Sequence, residues 1–190
     1  MLKELVERNR SYRRFDESHK IEEGTLMELL ELARLTPSSA NLQPLKYMIA
    51  AGPERNGLIF PHLKWAGYLK DWPGPVEGER PSAYIIILRD ERIFAAETCD
   101  HGIAAQTILL AAAEKGLGGC IIGNIDMEGL IRDMGIEQHL KVLLVLPLGK
   151  PVEEVRLVPV GPEGDMKYWR DEKGVHHVPK RSLEEIIVKR

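Results

Sequence analysis

Four arginines and a serine fall within Arg8-Asn9-Arg10-Ser11-Tyr12-Arg13-Arg14, just ahead of Phe15 and after a short amphipathic opening. Guanidinium groups hold anions through paired, charge-assisted hydrogen bonds, and a hydroxyl between them adds a contact to the same oxygens. Standing alone, such a run reads first as a solvated face. A second cluster, Thr36-Pro37-Ser38-Ser39-Ala40-Asn41-Leu42-Gln43-Pro44, packs short hydrogen-bonding side chains between two prolines. The prolines stiffen the backbone, so the loop can present amides and hydroxyls to a flat heterocycle.

Other groupings carry less chemistry. Gly116-Leu117-Gly118-Gly119 follows a helix and precedes a strand, the reverse of a phosphate-gripping helix N-terminus; Gly116 reads as a helix C-cap. Cys99-Asp100-His101 with His176-His177 matches no common zinc spacing, and Asp100 reads as an N-cap. Ser38 and Ser39 lack the glycine elbow of a serine nucleophile. Phe60, Trp65, Tyr68 and Trp72 read as core or lid residues before ligand platforms.

The elements that must position these residues follow from periodicity. Leu26, Leu29, Leu30 and Ala33 are at helical spacing, Thr25 with Glu28 forms a capping-box signal, and Pro37 ends the helix. Tyr47–Ala51, Tyr84–Leu88 and Val142–Leu148 are strand candidates, the last two apolar on both faces and hence central. A long helix is predicted over Cys99–Lys115, with Ile103, Ala104, Ile108, Leu109 and Ala112 as a buried stripe. Residues 56–80, rich in proline, glycine and tryptophan, show no sustained period and read as a variable, irregular, substrate-facing insertion. Ser182 with Glu185 caps a last short helix. Alternating helices and strands indicate a sheet covered on both faces.

At 190 residues and 44% hydrophobic content, one domain spanning residues 1–190 is expected. A net charge of -3 argues against general nucleic-acid binding. No apolar run is long enough to cross a bilayer, and Met1 to Arg14 lacks the apolar core of a signal peptide, so a cytoplasmic location is the default. Cys99 and Cys120 make no disulfide framework and are expected as thiols.

Six segments in order give the chain a resemblance to the FMN-dependent nitroreductase family. They are Arg-Ser-x-Arg-x-Phe at Arg10–Phe15, Pro-Ser-Ser-x-Asn-x-Gln-Pro at Pro37–Pro44, and Asp-x-Gly-x-Ala-x-Gln at Asp100–Gln106. Gly-Leu-Gly-Gly-Cys-Ile-Ile-Gly at Gly116–Gly123, Leu-Gly-Lys-Pro at Leu148–Pro151 and Val-Pro-Lys-Arg-Ser-Leu-Glu-Glu at Val178–Glu185 complete the set. The resemblance implies an α+β, three-layer α/β/α sandwich with a central mixed sheet, in an intertwined homodimer with a C-terminal arm over residues 170–190. It implies FMN as cofactor, with Arg10, Ser11 and Arg13 on the phosphate and Lys180 or Arg181 joining from across the groove. Pro37, Ser38, Ser39, Asn41 and Gln43 then surround the ring, and the Gly123 amide, beside Ile122, faces flavin N5. Family members often carry a basic residue at Asn9 and an acidic one at Ile122, so this chain departs from them at both.

The activity so implied is hydride transfer from NADH or NADPH through flavin to a small-molecule acceptor, a nitroaromatic or quinone, in ping-pong order, with no protein residue strictly required as acid or base. A flavin-storing or redox-sensing protein and a specialised relative acting on one metabolite are the rival readings.

Overall fold

The computed structural model describes residues 2–188. Its centre is a five-stranded sheet in the order β1 (Phe15–Asp16), β5 (Leu140–Pro151), β3 (Ala83–Asp90), β2 (Leu45–Ala51), with β4 (Gly118–Gly119) also paired to β5. The ladders between these strands are antiparallel, and a parallel bridge from Ser11 to Gly119 makes the sheet mixed at that one point.

β3 shows why the sheet is covered twice. All its residues are buried, and side chains alternate faces along a strand. Ile85 and Ile87 enter one core, with Leu26, Leu29 and Ala33 of α2 (Glu23–Arg34) and Ala104, Ile108 and Leu109 of α4 (Asp100–Glu114). Tyr84, Ile86 and Leu88 enter the other, with Ile59 of α3 (Pro53–Ile59), Leu130 of α5 (Met127–Met134) and Trp65. The result is the expected three-layer sandwich. The five large aliphatic side chains Leu26, Leu29, Ile85, Ile87 and Ile108 are 0% exposed, each contributing roughly 1.5 to 3 kcal/mol of burial.

Several local expectations are revised. α2 starts at Glu23, two residues before Thr25, and Glu22 caps it without a side-chain hydrogen bond. Ile21 and Leu26, on either side of that start, are buried in one cluster, and this staple overrides the Thr25/Glu28 capping box. Asp100 is the first residue of α4 with Cys99 before it, so its carboxylate is free for another partner. Ile103 is exposed on the outer side of α4 and does not belong to the buried stripe. The segment 56–80 is not irregular throughout, because α3 and a 3-10 turn at Phe60–His62 carry its first residues. The strands extend beyond the apolar runs that announced them.

A smaller sheet follows. β6 (Val155–Pro159) pairs in parallel with β8 (His176–Lys180), and β7 (Trp169–Arg170) pairs antiparallel with β8. α6 (Leu183–Ile186) begins with the expected capping box of Ser182 and Glu185. The last two residues of the 170–190 arm lie outside the described residues. Ahead of the sheet, α1 (Leu2–Arg8) buries none of its residues.

Gly118 and Gly119 are where the chain crosses closest to its neighbours. A Cβ on Gly118 would stand 2.5 Å from the Tyr12 ring, and one on Gly119 would stand 2.4 Å from the Pro147 carbonyl oxygen. The latter is backbone in mid-strand and cannot swing away. Gly119→Ala is therefore expected to destabilise the protein by about 1 to 3 kcal/mol, read as a lower denaturant midpoint at unchanged slope.

Candidate functional site

The arginine stretch runs beside β4. The Tyr12 amide donates to the Gly119 carbonyl at 3.0 Å, and the backbone then leads through Cys120 to Ile122 and Gly123. Arg13, Ile122 and Gly123 thus line one cleft of about 170 Å³, with Trp65 and Tyr168 as its aromatic walls. Ile122 has its backbone tied to Val145 in both directions at 2.9 Å and its side chain buried. Gly123 is exposed, and among the described residues its amide donates to no group. Steric demand does not require glycine there, since an added Cβ would meet Leu144 at an ordinary 3.7 Å.

Glu153 holds the arginine stretch in place. Its side chain is 1% exposed. It accepts from the Arg13 amide, from the Arg14 amide at 3.1 Å and from Arg170 Nη2 at 3.0 Å. Arg14 itself is spent on Glu79 as a two-pronged ion pair. Arg10 and Arg13 differ from it. Among the described residues no carboxylate lies within ion-pair distance of either, and the buried Arg10 Nε has no partner. Arg10 donates to the Val6 carbonyl and Arg13 to the Ser11 carbonyl, while the Arg13 guanidinium lies 5.1 Å from the Tyr168 ring centre.

His176 stands behind Arg13, with Nε2 3.4 Å from Arg13 Nη1. Arginine only donates, so Nε2 accepts and Nδ1 carries the proton. Burial first, and then the charges of Arg13 and Arg170, push the imidazole down to about 4, which leaves it neutral at pH 7. Burial likewise pushes the Cys120 thiol up to about 12, so it is no nucleophile.

The loop 37–44 lines a different cleft. Pro37, Ser38 and Gln43 border a groove of about 390 Å³ with Tyr47 and Asp100, and no residue lines both clefts. Ser39 and Asn41 are exposed in the same loop. Its backbone is unusual. Ala40, Asn41 and Gln43 all have positive φ, at 47°, 55° and 51°, a conformation that costs non-glycine residues roughly 1 to 3 kcal/mol each. What holds it is Asp100. Ser38 Oγ donates to Asp100 Oδ2 at 2.5 Å, the Ser39 amide donates to Oδ1 at 3.1 Å, and the Gln43 amide donates to Ser38 Oγ at 2.9 Å. Gln43 Nε2 donates to Asn41 Oδ1 at 3.2 Å, leaving polar atoms of both side chains turned to solvent.

Burial alone would raise the Asp100 carboxyl, but hydrogen bonds from Ser38, the Ser39 amide and Thr98 outweigh it and hold the group below the usual carboxylate range. The motif around Asp100 marked the residue, but only the fold shows that it anchors a loop sixty-one residues away. Glu153 and Tyr168 carried no signal, because single residues with long-range partners leave no local pattern, and His176 stood out only as half of a histidine pair that fits no zinc spacing. Lys180 and Arg181 are not brought to the arginine cleft. Lys180 sits four residues along β8 from His176, roughly 13 Å at ordinary strand rise, and Arg181 pairs with Glu185 at 3.7 Å.

Together these observations define a layered α+β protein with one cleft lined by Arg13 and Gly123 and a separate loop tied to Asp100. The profile of the nitroreductase family matches residues 6–150, and the chain belongs to that family. A protein of Methanothermobacter thermautotrophicus named as an NADH dehydrogenase/NAD(P)H nitroreductase is 28% identical over 157 residues, 79% of this chain and 77% of its own length. The Bacillus subtilis protein YdgI, named as an NAD(P)H nitroreductase, is 25% identical over 189 residues, covering 80% and 88%. Among solved structures, a nitroreductase from Desulfovibrio desulfuricans in complex with FMN superposes with a TM-score of 0.72 at 19% identity, over 100% of this chain and 96% of that one. This last likeness shows the fold.

The Asp100 anchor generates a prediction with a definite sign. Its folded-state pKa lies below the unfolded value, so its stabilisation is present above the unfolded carboxylate pKa and is lost as pH falls through the folded one. Asp100→Asn is expected to cost about 1.5 to 3 kcal/mol at pH 7. Denaturation of both proteins across pH should show that gap narrowing below about pH 4.

Proposed function

We propose that this protein is an FMN-dependent oxidoreductase that takes a hydride from NADH or NADPH and delivers electrons to a small acceptor such as a nitroaromatic or a quinone, and that it works as a homodimer. The observation that carries the reading is the pair Arg10 and Arg13. Eight other arginines have carboxylate partners. Arg10 and Arg13, like Arg8, Arg55 and Arg80, have none among the described residues, and Arg13 lines a cleft that also includes Gly123, whose amide donates to no described group. Two guanidinium groups and the Ser11 hydroxyl suit a phosphate dianion, and an uncharged amide donor suits a ring nitrogen. The residues fit FMN, which when bound supplies hydride and electron transfer between the nicotinamide and the acceptor.

The chain's own part is then to bind and orient. Arg10, Ser11 and Arg13 would hold the phosphate, with Lys180 or Arg181 reaching it from the arm of a second copy. Gly123 would present its N–H to the ring beside the apolar Ile122. Neutral His176 keeps Arg13 turned without adding charge, and Trp65 with Tyr168 keeps water from one wall. No side chain in this cleft is poised as an acid or base, in keeping with a reaction in which nicotinamide and acceptor occupy one groove in turn.

The second half of the site argues for two copies. Pro37, Ser38, Ser39, Asn41 and Gln43 would contact the ring, yet their groove is separate from the arginine cleft in one protomer, so a neighbour has to bring the halves together. Leu2, Met27, Leu35, Ile103, Leu183 and Ile186 are exposed apolar side chains on α1, α2, α4 and α6 or just beyond, surface that association would cover. Sedimentation at micromolar concentration should give a flavin-loaded dimer; a flavin-loaded monomer would overturn the shared site.

The phosphate role is tested by the double variant Arg10→Ala/Arg13→Ala. Each charge-assisted contact contributes roughly 1.5 to 3 kcal/mol, so FMN affinity should fall by about two to four decades while riboflavin binding barely changes. Equal loss for both ligands, with melting unchanged, would refute it. Anaerobic bleaching of the yellow protein by NADH or NADPH separates an enzyme from a flavin-storing protein, which would ignore both.

A further inference from the structure

A third cleft, larger than either of the two described above, belongs to neither half-site. It encloses about 640 Å³ between the β1–α2 connection, the start of α3 and the start of β3, a size within the range of small-molecule sites. Its floor is polar and unpartnered. Ser82 is 8% exposed and its buried Oγ has no hydrogen-bond partner; the same holds for the buried Asn56 Oδ1 and Arg80 Nε. Three such atoms on residues that line one cavity are unusual, because an unmet buried polar group is costly.

The orientation of each group identifies what would meet it. Asn56 Nδ2 donates to the Ser82 carbonyl at 2.8 Å, and a carbonyl only accepts. This fixes which end of the amide is oxygen, so Oδ1 asks for a donor. Arg80 lies over the Phe60 ring at 4.7 Å and, among the described residues, has no carboxylate within ion-pair distance. With the Ser82 hydroxyl it forms a donor pair suited to one carboxylate. The lining carries Glu17, Glu22 and Glu23 against the two cations Lys20 and Arg80, which leaves room for a positive group on the ligand and disfavours a polyanion.

We propose that this cleft binds a free α-amino acid with an apolar side chain. Its carboxylate is held by Arg80 and Ser82, its ammonium by Asn56 Oδ1 within the glutamate-bearing lining, and its side chain by the wall that includes Phe60. The site is independent of the flavin reading, because it shares no residue with either half-site.

Titration calorimetry and thermal melting of the full chain with L-phenylalanine test the proposal. The probes that each keep one charge are 3-phenylpropanoate and phenethylamine. L-phenylalanine should bind, and each single-charge probe should bind about tenfold or more weakly. Arg80→Gln and Ser82→Ala should each weaken L-phenylalanine about tenfold or more, with Arg80→Gln leaving phenethylamine unchanged. Absence of binding up to about 10 mM would identify a water-filled cleft and overturn the proposal, as would unaltered affinity in both variants. Equal affinity for L-phenylalanine and phenethylamine would also overturn it, because the carboxylate would then have no role.

Discussion

A buried carboxylate, that of Glu153, joins the first and last parts of the chain. It takes hydrogen bonds from two consecutive backbone amides, Arg13 and Arg14, and from the Arg170 guanidinium. A carboxylate so enclosed would cost several kcal/mol if any of these were lost, and that makes the arrangement nearly all-or-none. With both amides committed, the stretch 10–14 meets β4 at the Ser11–Gly119 bridge, Arg14 is turned to Glu79 and Arg13 is turned to the cleft. Arg170, anchored at the other end, stacks on Trp72 at 4.7 Å and brings the small sheet alongside the segment after α3. The cleft wall of Tyr168 and the buried His176 follow from that placement.

The second constraint is of the same kind on the opposite half-site. A loop with three left-handed, non-glycine residues does not hold its shape by propensity. Asp100 supplies what propensity does not, and it can do so because α4 is packed into a core of alanines and aliphatic side chains that leaves its first turn immobile. Both half-sites are therefore built as a strained or extended segment tied by one carboxylate to a rigid element.

Sequence patterns did not all survive the fold, and the reasons differ. Thr25 and Glu28 form a valid local capping signal, but burying Ile21 moved the helix start. Ile103 satisfies the helical period, but its side of α4 faces outward. The helix that runs into 56–80 shows no apolar period of its own, although Pro53 at its start sits where a helix accepts proline. In each case a local rule met a tertiary term of larger size.

Periodicity by itself determined that this chain would form a sheet covered on both faces, because runs such as Tyr84–Leu88 are apolar at every position and lie between two cores. The spacing of the arginines and of the Pro37–Pro44 loop also marked the chemistry, since guanidinium, hydroxyl and amide groups bring their binding preferences wherever they sit. Tertiary structure decided which of them are available. Arg14 and Arg13 are neighbours of identical type, yet one is neutralised by Glu79 and the other has no ion pair, a difference set by a carboxylate sixty-five residues away. It also decided that Arg13 and the Pro37–Pro44 loop lie on separate clefts, and that Asn56, Arg80 and Ser82 line a third. Charge pairing and cavity formation depend on distances in space, and a linear pattern carries only distances along the chain.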